Sequence, residues 1–307
     1  MIVVCGEALI DMISNGDGTQ QPTPGGGPFN TARALARLGV PTAFLGRLSD
    51  DVLGRQLASL LAADGASLAM ATSGPEPTTI AVAEVDGEGL AEYQFFVDGT
   101  SAPNLTSAML PDSLPAEVDA IHFGTLGLAL EPMASTLVEL VRRESGRRMI
   151  MLDPNVRPGV VPDQDYRERI DSVIPLSTVV KASVADLAWI YPGIDYEAAA
   201  ERLLGGGVRL VVVTLGALGA FGATAKLRTR VAAPLVEVID TIGAGDIFGA
   251  AVLTSLYETG RLRPDLALTS DELTSLLSFA CEAAAIACTR VGAESPMRSE
   301  LSAAPKR

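Results

Sequence analysis

Short apolar runs rich in Val, Ile and Leu alternate along most of the chain with longer Ala- and Leu-rich stretches of helical periodicity. This alternation predicts an α/β fold with a mostly parallel central sheet, flanked by helices on both faces. The predicted buried strands are Ile2–Cys5, Ala43–Leu45, Ala120–Phe123, Met149–Leu152, Val179–Lys181 and Leu210–Thr214. The predicted helices are Thr31–Leu38, Leu53–Ala63, Met133–Glu144, Tyr196–Leu204 and Ile247–Thr259. We expect a ligand at the carboxyl ends of the strands.

One region departs from this rhythm and predicts an antiparallel hairpin. Residues 78–96 are mainly β-branched, aromatic and small, and the Asp86–Gly89 segment supplies a turn between two strand-like halves. An isolated hairpin is marginal in water, so it should join the Met12–Thr23 segment or a second subunit as a small sheet. An extra edge hairpin of the main sheet is the alternative.

Charge and cysteine content narrow the classes of function. The 307 residues include 23 Lys and Arg against 37 Asp and Glu, a net charge of −14, which argues against a nucleic acid as a partner. Cys5, Cys281 and Cys288 form no C-x-x-C pair, so we interpret them as reduced core thiols of a cytoplasmic protein. The longest uncharged stretch, residues 210–225, is shorter than the roughly 20 residues of a spanning helix, so we expect no membrane segment.

The strongest local signal is a Gly-rich turn. A predicted strand, Leu235–Ile239, leads into the turn Asp240–Asp246, and a helix follows. The first N–H groups of that helix and its positive dipole end would form an anion site. Asp246 either caps the helix or acts as a general base beside a bound phosphate. The turn is neither a Walker loop, which needs Gly-Lys-Ser/Thr, nor a dinucleotide fingerprint, because its glycines are out of step.

Two motifs together make the chain recognisable. The segment Asp-Thr-Ile-Gly-Ala-Gly-Asp at 240–246 resembles the signature of the ribokinase-like, PfkB-type carbohydrate kinases, and Gly-Gly-Gly-Pro-Phe-Asn at 25–30 is similar to that family's sugar-binding turn. The resemblance implies a single ribokinase-like domain over 1–307. It also implies a small β-sheet lid, with strands at about 12–24 and 76–105, and transfer of the γ-phosphoryl group of Mg-ATP to a sugar hydroxyl.

The resemblance also implies roles for individual residues. The family's base matches Asp246, and its anion hole matches the backbone N–H groups of Gly243, Ala244, Gly245 and Asp246. The sugar ligands would be Asp11, Gly26, Gly27, Asn30, Phe95 and Arg157. Because side chains alternate along a strand, Phe95 and Phe96 cannot both face the sugar.

The nucleotide and cation positions are carried over in the same way. The ATP-binding residues would be Lys181, Ser183, Thr214, Gly216, Gly219, Gly245 and Cys281. The family's Asn-x-x-Glu element is replaced by Ser183-Val-Ala-Asp186, so Asp186 would reach Mg²⁺ through water. A monovalent cation such as K⁺ would lie among Asp240, Ile242, Ala287, Arg290, Gly292 and Ser295.

The sequence favours one acceptor without settling it. Gly-Glu-Ala-Leu-Ile-Asp at 6–11 and Asp-Pro-Asn-Val-Arg-Pro at 153–158 look like the fructokinase branch, so fructose is the first choice; 2-keto-3-deoxygluconate, ribose and nucleosides stay open. A non-catalytic sugar or nucleotide sensor is the alternative from another class of function, supported by the altered 183–186 element, and a dehydrogenase is a poorer option.

The resemblance also bears on the oligomeric state. Lids of relatives often pair between subunits, which implies a homodimer. We expect His122, the only histidine, to be structural.

Overall fold

A computed structural model describes residues 1–14, 20–85 and 91–302. In chain order its strands are β1 Ile2–Cys5, β2 Leu9–Ser14, β3 Gln20–Gly25, β4 Thr42–Leu45, β5 Arg47–Ser49, β6 Thr72–Gly74, β7 Ile80–Val85, β8 Ala91–Phe96, β9 Ala120–Gly124, β10 Met149–Asp153, β11 Val179–Ser183, β12 Leu210–Thr214, β13 Ala220–Ala223 and β14 Arg228–Val231. The large sheet has the order β14-β13-β12-β11-β10-β9-β1-β4, and its strands are parallel except β13 and β14. The mostly parallel sheet predicted from the sequence is confirmed.

Eight α-helices lie in the described part of the chain: α1 Gly27–Arg37, α2 Val52–Asp64, α3 Met133–Glu144, α4 Asp163–Val173, α5 Val184–Ile190, α6 Tyr196–Gly205, α7 Ala244–Glu258 and α8 Ser270–Cys288. Side chains alternate along β1, so Val3 and Cys5 pack in one apolar core, whereas Ile2 and Val4 pack in the other. Helices α3 to α6 cover the first core, and α1, α2, α7 and α8 cover the second. None of these helices is both long and apolar enough to cross a membrane.

A separate four-stranded sheet, which we call the lid, has the order β3-β2-β7-β8. Its central pair, β2 and β7, is parallel, and each outer pair is antiparallel. The predicted hairpin therefore joins the segment around Met12–Thr23 rather than the main sheet. The predicted turn at 86–89 lies outside the described residues.

One predicted strand is wrong. Leu235–Ile239 has no regular secondary structure, and Leu235 is 100% exposed. Only its end is held by the backbone, where the N–H groups of Ile239 and Asp240 donate to the Cys288 carbonyl. The apolar alternation that suggested a strand belongs to the wall of a cleft, described below. Two helices also begin earlier than predicted, α1 at Gly27 and α7 at Ala244, so both Gly-rich turns contribute to a first helical turn.

Candidate active site

A cavity of about 290 Å³ lies between the lid and the carboxyl ends of β1, β9, β10 and β11. It is the position expected for a ligand of a parallel sheet. Its lining residues include the predicted sugar ligands Asp11, Gly26, Gly27, Asn30, Phe95 and Arg157 and the predicted catalytic residues Gly243, Gly245 and Asp246. The other lining residues are Glu7, Leu9, Thr125, Leu126, Asn155, Lys181, Thr241 and Ile242. We call this the acceptor cavity.

Asp246 lies in the first turn of α7 but does not cap that helix. The N-cap residue is Gly243, at φ 72°, and no side chain caps the helix. Asp246 is 8% exposed, and its Oδ2 accepts a hydrogen bond of 2.9 Å from Asn30 Nδ2. The Gly-rich turns at 25–30 and 240–246 are therefore joined through their polar side chains. This geometry leaves the capping interpretation without support.

The charges around Asp246 act on its pKa in opposite directions. Burial raises the pKa, whereas Lys181, the Asn30 hydrogen bond and Arg157 lower it, and the net direction is upward. A raised pKa makes the carboxylate a better proton acceptor, provided that it stays ionised at the working pH. Asp11 lies within β2, not at its end, and burial raises its pKa to about 6 despite the opposing Arg157.

Gly27 keeps the floor of the acceptor cavity open. A Cβ atom on this residue would lie 2.6 Å from Thr125 Oγ1, 3.3 Å from Asn155 Nδ2 and 3.4 Å from Asp246 Oδ1. Real Cβ atoms essentially never approach another heavy atom as closely as 2.6 Å. The glycine therefore lets three polar groups converge on one space that a small ligand could fill.

Two of these polar groups sit on strained backbone. Thr125 follows β9 at φ 51° and Asn155 follows β10 at φ 36°, the two positive-φ residues other than glycine in the described part of the chain. A left-handed conformation is tolerated by Asn but unfavourable for a β-branched Thr. Asn155 Nδ2 donates to Thr125 Oγ1 at 3.4 Å, so the two turns support one another. Strain of this kind concentrates at functional sites.

The lid places one aromatic ring at the acceptor cavity. Phe95 lines it, whereas Phe96 is 51% exposed and does not. Arg157 lies opposite, with its Nη1 donating to Asn155 Oδ1 at 2.7 Å. Both placements agree with the predicted sugar ligands, whose roles stay predictions.

Glu7 is a site residue that the sequence analysis missed. It lines the acceptor cavity, is fully buried, and neither carboxyl oxygen has a hydrogen-bond partner of good geometry in the described structure. Burial raises its pKa to about 8, with Asp246 adding to the shift and its own backbone N–H group and Arg157 opposing it. The only sequence signal for Glu7 was its position two residues after the predicted strand Ile2–Cys5, at the edge of the sheet where a ligand was expected.

Substituting Glu7 by Gln should stabilise the protein at alkaline pH more than at acid pH. The unfolded carboxyl titrates near 4.5 and the folded one near 8, so the favourable contribution of the protonated group is complete below pH 4.5 and is lost as the pH rises through 8. Each pKa unit corresponds to about 1.4 kcal/mol, so the Tm difference between variant and wild type should grow by several degrees between pH 5 and pH 9. Thermal unfolding followed by circular dichroism measures it. The exposed Glu117→Gln is the control, and a pH-independent difference for Glu7→Gln would contradict the prediction.

A second cavity, of about 340 Å³, lies on the other side of the first turn of α7. Apolar residues of the 233–238 segment and small residues of α8 form its walls. The predicted nucleotide residues that line it are Thr214, Gly216, Gly219, Gly245 and Cys281. We call this the nucleotide cavity. Its apolar wall explains the exposed Val and Leu side chains that had suggested a strand.

The two cavities meet at the start of α7. Thr241 and Gly245 line both of them. The N–H of Ala244 donates to the Thr241 carbonyl at 3.2 Å and that of Ile247 to the Gly243 carbonyl at 2.9 Å. Those of Gly245 and Asp246 lie between them and have no partner in the described residues. Of the four N–H groups expected in the anion hole, Ala244 alone is engaged by another described residue, so those of Gly243, Gly245 and Asp246 remain as donors.

Ser183 and Asp186 form the capping box of α5 and line neither cavity. Asp186 Oδ2 accepts from the Ser183 N–H at 2.7 Å and from its hydroxyl at 2.6 Å, while Oδ1 accepts from the Val156 N–H at 2.8 Å. Oδ1 thus fastens the 155–157 loop to α5, and Oδ2 belongs to the cap of the helix itself. This arrangement argues against the predicted ATP contact of Ser183 and the predicted Mg²⁺ contact of Asp186.

Lys181 was predicted to bind the nucleotide, but it lines the acceptor cavity instead. It is 4% exposed, and its Nζ lies 2.6 Å from Asp153 Oδ2. Its side chain comes from β11, and a Cβ atom on Gly245, which lines both cavities, would lie 3.2 Å from its Nζ.

The residues predicted for a monovalent cation lie where α7 and α8 approach one another. Asp240 accepts from the N–H groups of Ile242 at 2.9 Å and Gly292 at 2.8 Å. The buried Ser295 Oγ has no partner in the described residues, so one oxygen remains for a cation. The Ala287 carbonyl already accepts from the Arg290 N–H at 3.0 Å, so one of the predicted carbonyl ligands is engaged.

Comparison with known proteins agrees with this geometry. The family model for pfkB family carbohydrate kinases matches residues 1–300. A fructokinase from Rhizobium leguminosarum bv. trifolii is 40% identical over 281 residues, which is 90% of this chain and 84% of that protein.

Solved structures of fructokinases also match nearly the whole chain. The fructokinase of Xylella fastidiosa with bound ATP superimposes with a TM-score of 0.89 at 27% identity, covering 97% of this chain and 96% of the other. The fructokinase of Vibrio cholerae O395 with fructose, ADP and calcium gives a TM-score of 0.83 at 27% identity, covering 95% and 94%.

Proposed function

Because the chain belongs to the pfkB family of carbohydrate kinases, we propose that it is an ATP-dependent fructokinase. The observation that carries this proposal is the meeting of two cavities at the first turn of α7. A sugar in the acceptor cavity and ATP in the nucleotide cavity would approach one another at Gly245. Fructose is the favoured sugar because the relatives and solved structures that match most of this chain are named fructokinases.

The residues at this junction match the parts that phosphoryl transfer requires. Asp246 would accept the proton of the sugar hydroxyl as its oxygen forms a bond to the γ-phosphorus. The bond from phosphorus to the β–γ bridging oxygen breaks, and its electron pair leaves with ADP. The N–H groups of Gly245 and Asp246 would stabilise the charge on the transferring group. The lid and Phe95 would exclude water from the transfer.

We expect two cations, Mg²⁺ and K⁺, to take part in binding the nucleotide. No group of three or more His, Cys, Asp or Glu side chains in the described residues is placed to hold a metal. Both Asp186 oxygens already accept hydrogen bonds, which argues against a Mg²⁺ contact there. Mg²⁺ would therefore be held mainly by the ATP phosphates, as is common for this ion. The buried Ser295 Oγ, which has no partner in the described residues, supports a K⁺ site, and omission of K⁺ from the assay tests it.

The edge of the lid supports a homodimer. β8 is the outer strand of the lid, and Phe96 at its end is 51% exposed. A second copy pairing at this edge would cover the ring and the open backbone groups. Light scattering of wild type and Phe96→Glu tests the proposed dimer, and a monomeric wild type would contradict it.

The three free cysteines are consistent with the proposed cytoplasmic location.

The decisive assay is ADP release from Mg-ATP with a panel of fructose, ribose, 2-keto-3-deoxygluconate, tagatose and adenosine. We expect the highest kcat/KM with fructose. A higher value with another acceptor would contradict the substrate, and nucleotide binding without turnover on any acceptor would favour the sensor.

Substituting Gly27 by Ala should weaken the use of fructose without weakening nucleotide binding. The added methyl group would occupy the space between Thr125 and Asn155, where the sugar is proposed to lie. We expect kcat/KM for fructose to fall about 10- to 200-fold, the usual effect of one misplaced carbon in a pocket. Gly205→Ala is the matched control, because a Cβ there meets no atom within 4 Å. Equal kinetics of the two variants would contradict the assignment of the cavity.

A further inference from the structure

Tyr166, on α4, places its hydroxyl between the turns that follow β9 and β10. The residue is 1% exposed and lines neither cavity. Its hydroxyl oxygen lies 3.3 Å from the Thr125 carbonyl oxygen and 3.4 Å from that of Pro154, so its one proton is shared between two acceptors. A phenylalanine would fill the same space without the cost of burying a hydroxyl. Packing alone therefore gives no reason for this tyrosine.

The two carbonyls belong to the strained turns described above. One is that of Thr125 itself, at φ 51°, and the other is that of Pro154, which immediately precedes Asn155 at φ 36°. A β-branched residue stays in the left-handed region only when the surrounding structure holds it there. The Tyr166 hydroxyl is one such contact, and the 3.4 Å bond from Asn155 Nδ2 to Thr125 Oγ1 is another. Tyr166 thus fastens the backbone of both turns at once.

The strained turns direct their side chains to one point in the acceptor cavity. The position that a Cβ atom on Gly27 would take lies 2.6 Å from Thr125 Oγ1, 3.3 Å from Asn155 Nδ2 and 3.4 Å from Asp246 Oδ1. The Thr125 hydroxyl accepts from Asn155 and donates to none of the residues that the structure describes, so its proton is available to a ligand. An oxygen atom of a sugar near this point would bond to Thr125 beside the proposed base.

We propose that Thr125 is a specificity-determining residue whose hydroxyl donates to an oxygen of the acceptor sugar, and that Tyr166 is the residue that positions it. This inference rests on the proposed sugar kinase function. A sugar without an oxygen at this point would leave the 7% exposed Thr125 hydroxyl unpaired. Polar sites discriminate strongly in that situation, because the loss of one partner leaves the other buried and unsatisfied.

The first test is Tyr166→Phe, which removes the hydroxyl and keeps the ring that packs 5.4 Å from Trp189, so the variant should fold. We expect kcat/KM for fructose to fall about tenfold, the order of one lost hydrogen bond, and the fall to come from KM. The kcat and the Kd for ADP should stay within threefold, because the hydroxyl contacts neither Asp246 nor the nucleotide cavity.

Tyr191→Phe is the matched control for this variant. Tyr191 is 8% exposed, its hydroxyl has no hydrogen bond to a described residue, and it lines neither cavity. Its KM for fructose should equal that of wild type. A merely structural Tyr166 would lower Tm and leave KM unchanged, and that result would overturn the positioning role.

The second test compares Thr125→Val with Thr125→Ser. Valine keeps the branched shape and lacks the hydroxyl, whereas serine keeps the hydroxyl. We expect kcat/KM for fructose to fall about 10- to 100-fold in Thr125→Val and to stay within fivefold of wild type in Thr125→Ser. Wild-type kinetics of Thr125→Val, or an equal loss in both variants, would overturn the sugar contact.

Monodeoxy derivatives of fructose locate the contact. Each derivative is measured as a substrate or, where it is not phosphorylated, as a competitive inhibitor of wild type and Thr125→Val. The penalty of the substitution should fall below threefold for the one derivative that lacks the bonded oxygen and persist for the others. An equal penalty for every derivative would mean a general deformation of the cavity, and it would overturn the contact.

The double variant Tyr166→Phe/Thr125→Val tests whether the tyrosine acts through the threonine. In the Thr125→Val background, Tyr166→Phe should change kcat/KM for fructose by less than threefold, because the contact that it positions is already absent. Effects that multiply would show that the two residues act independently and would overturn the positioning role. If wild type phosphorylates no sugar in the panel, the proposed function fails. If wild type and both single variants use fructose equally well, this inference alone fails.

Discussion

Replacing Asp246 by Asn should lower kcat for fructose phosphorylation by about 10²- to 10⁴-fold, the usual contribution of a general base. Asn has nearly the same shape and can still accept from Asn30 Nδ2 through its amide oxygen, so the two Gly-rich turns should stay joined. What the variant lacks is a group that can take up the proton of the attacking hydroxyl. Kinetics with fructose and calorimetric binding of ADP measure the two properties separately, and Kd for ADP should change less than threefold.

The control for this prediction is Asp271→Asn. Asp271 also lies in the first turn of a helix, α8, but is exposed and outside both cavities, so it reports any loss due only to the helix dipole. Burial raises the pKa of Asp246, so wild-type activity should fall with decreasing pH at a higher pH than an ordinary aspartate would give. Turnover by Asp246→Asn within threefold of wild type would contradict the assignment of the base.

The pattern of apolar residues alone was sufficient to predict much of the fold. Met133–Glu144 and Leu210–Thr214 were predicted with the bounds that the structure shows, because each is a long or wholly apolar segment that is buried against its neighbours. The same rule failed at Leu235–Ile239, whose apolar side chains face a cleft. Hydrophobicity indicates contact with something apolar, and it does not tell a sheet from a ligand-sized cavity.

The part of the candidate site that short sequence motifs form could be predicted from the sequence. The turns at 25–30 and 240–246 come together as expected, joined by Asn30 and Asp246. Thr125 carried no signal, because nothing in the sequence marks a β-branched residue that tertiary contacts force to φ 51°. Glu7 and Lys181 depend on the register of neighbouring strands, which sets the cavity that a side chain enters. That information is three-dimensional, so the sequence did not show that Lys181 lines the acceptor cavity.

Replacing Gly243 by Ala should disable the anion hole while leaving the fold in place. Gly243 is the N-cap of α7 at φ 72°, and an added Cβ would lie 2.4 Å from the Ala293 Cβ. The start of the helix must therefore shift, and with it the N–H groups of Gly245 and Asp246. Losing such preorganised donors usually costs about 10²- to 10³-fold in kcat. A non-hydrolysable ATP analogue should lose more affinity than ADP, because the proposed hole would face the γ-phosphate, which ADP lacks.

Gly39→Ala separates this effect from backbone strain. Gly39 has a similar conformation, φ 81°, but a Cβ there meets no atom within 4 Å, so both variants carry the left-handed strain of about 1 kcal/mol and only one disturbs the phosphate turn. Both should therefore lose some thermal stability, whereas kcat should fall in Gly243→Ala alone. If the two variants lose Tm and keep kcat alike, then the first turn of α7 does not hold the transferring phosphate. The transfer would then have to be placed elsewhere along the border between the two cavities.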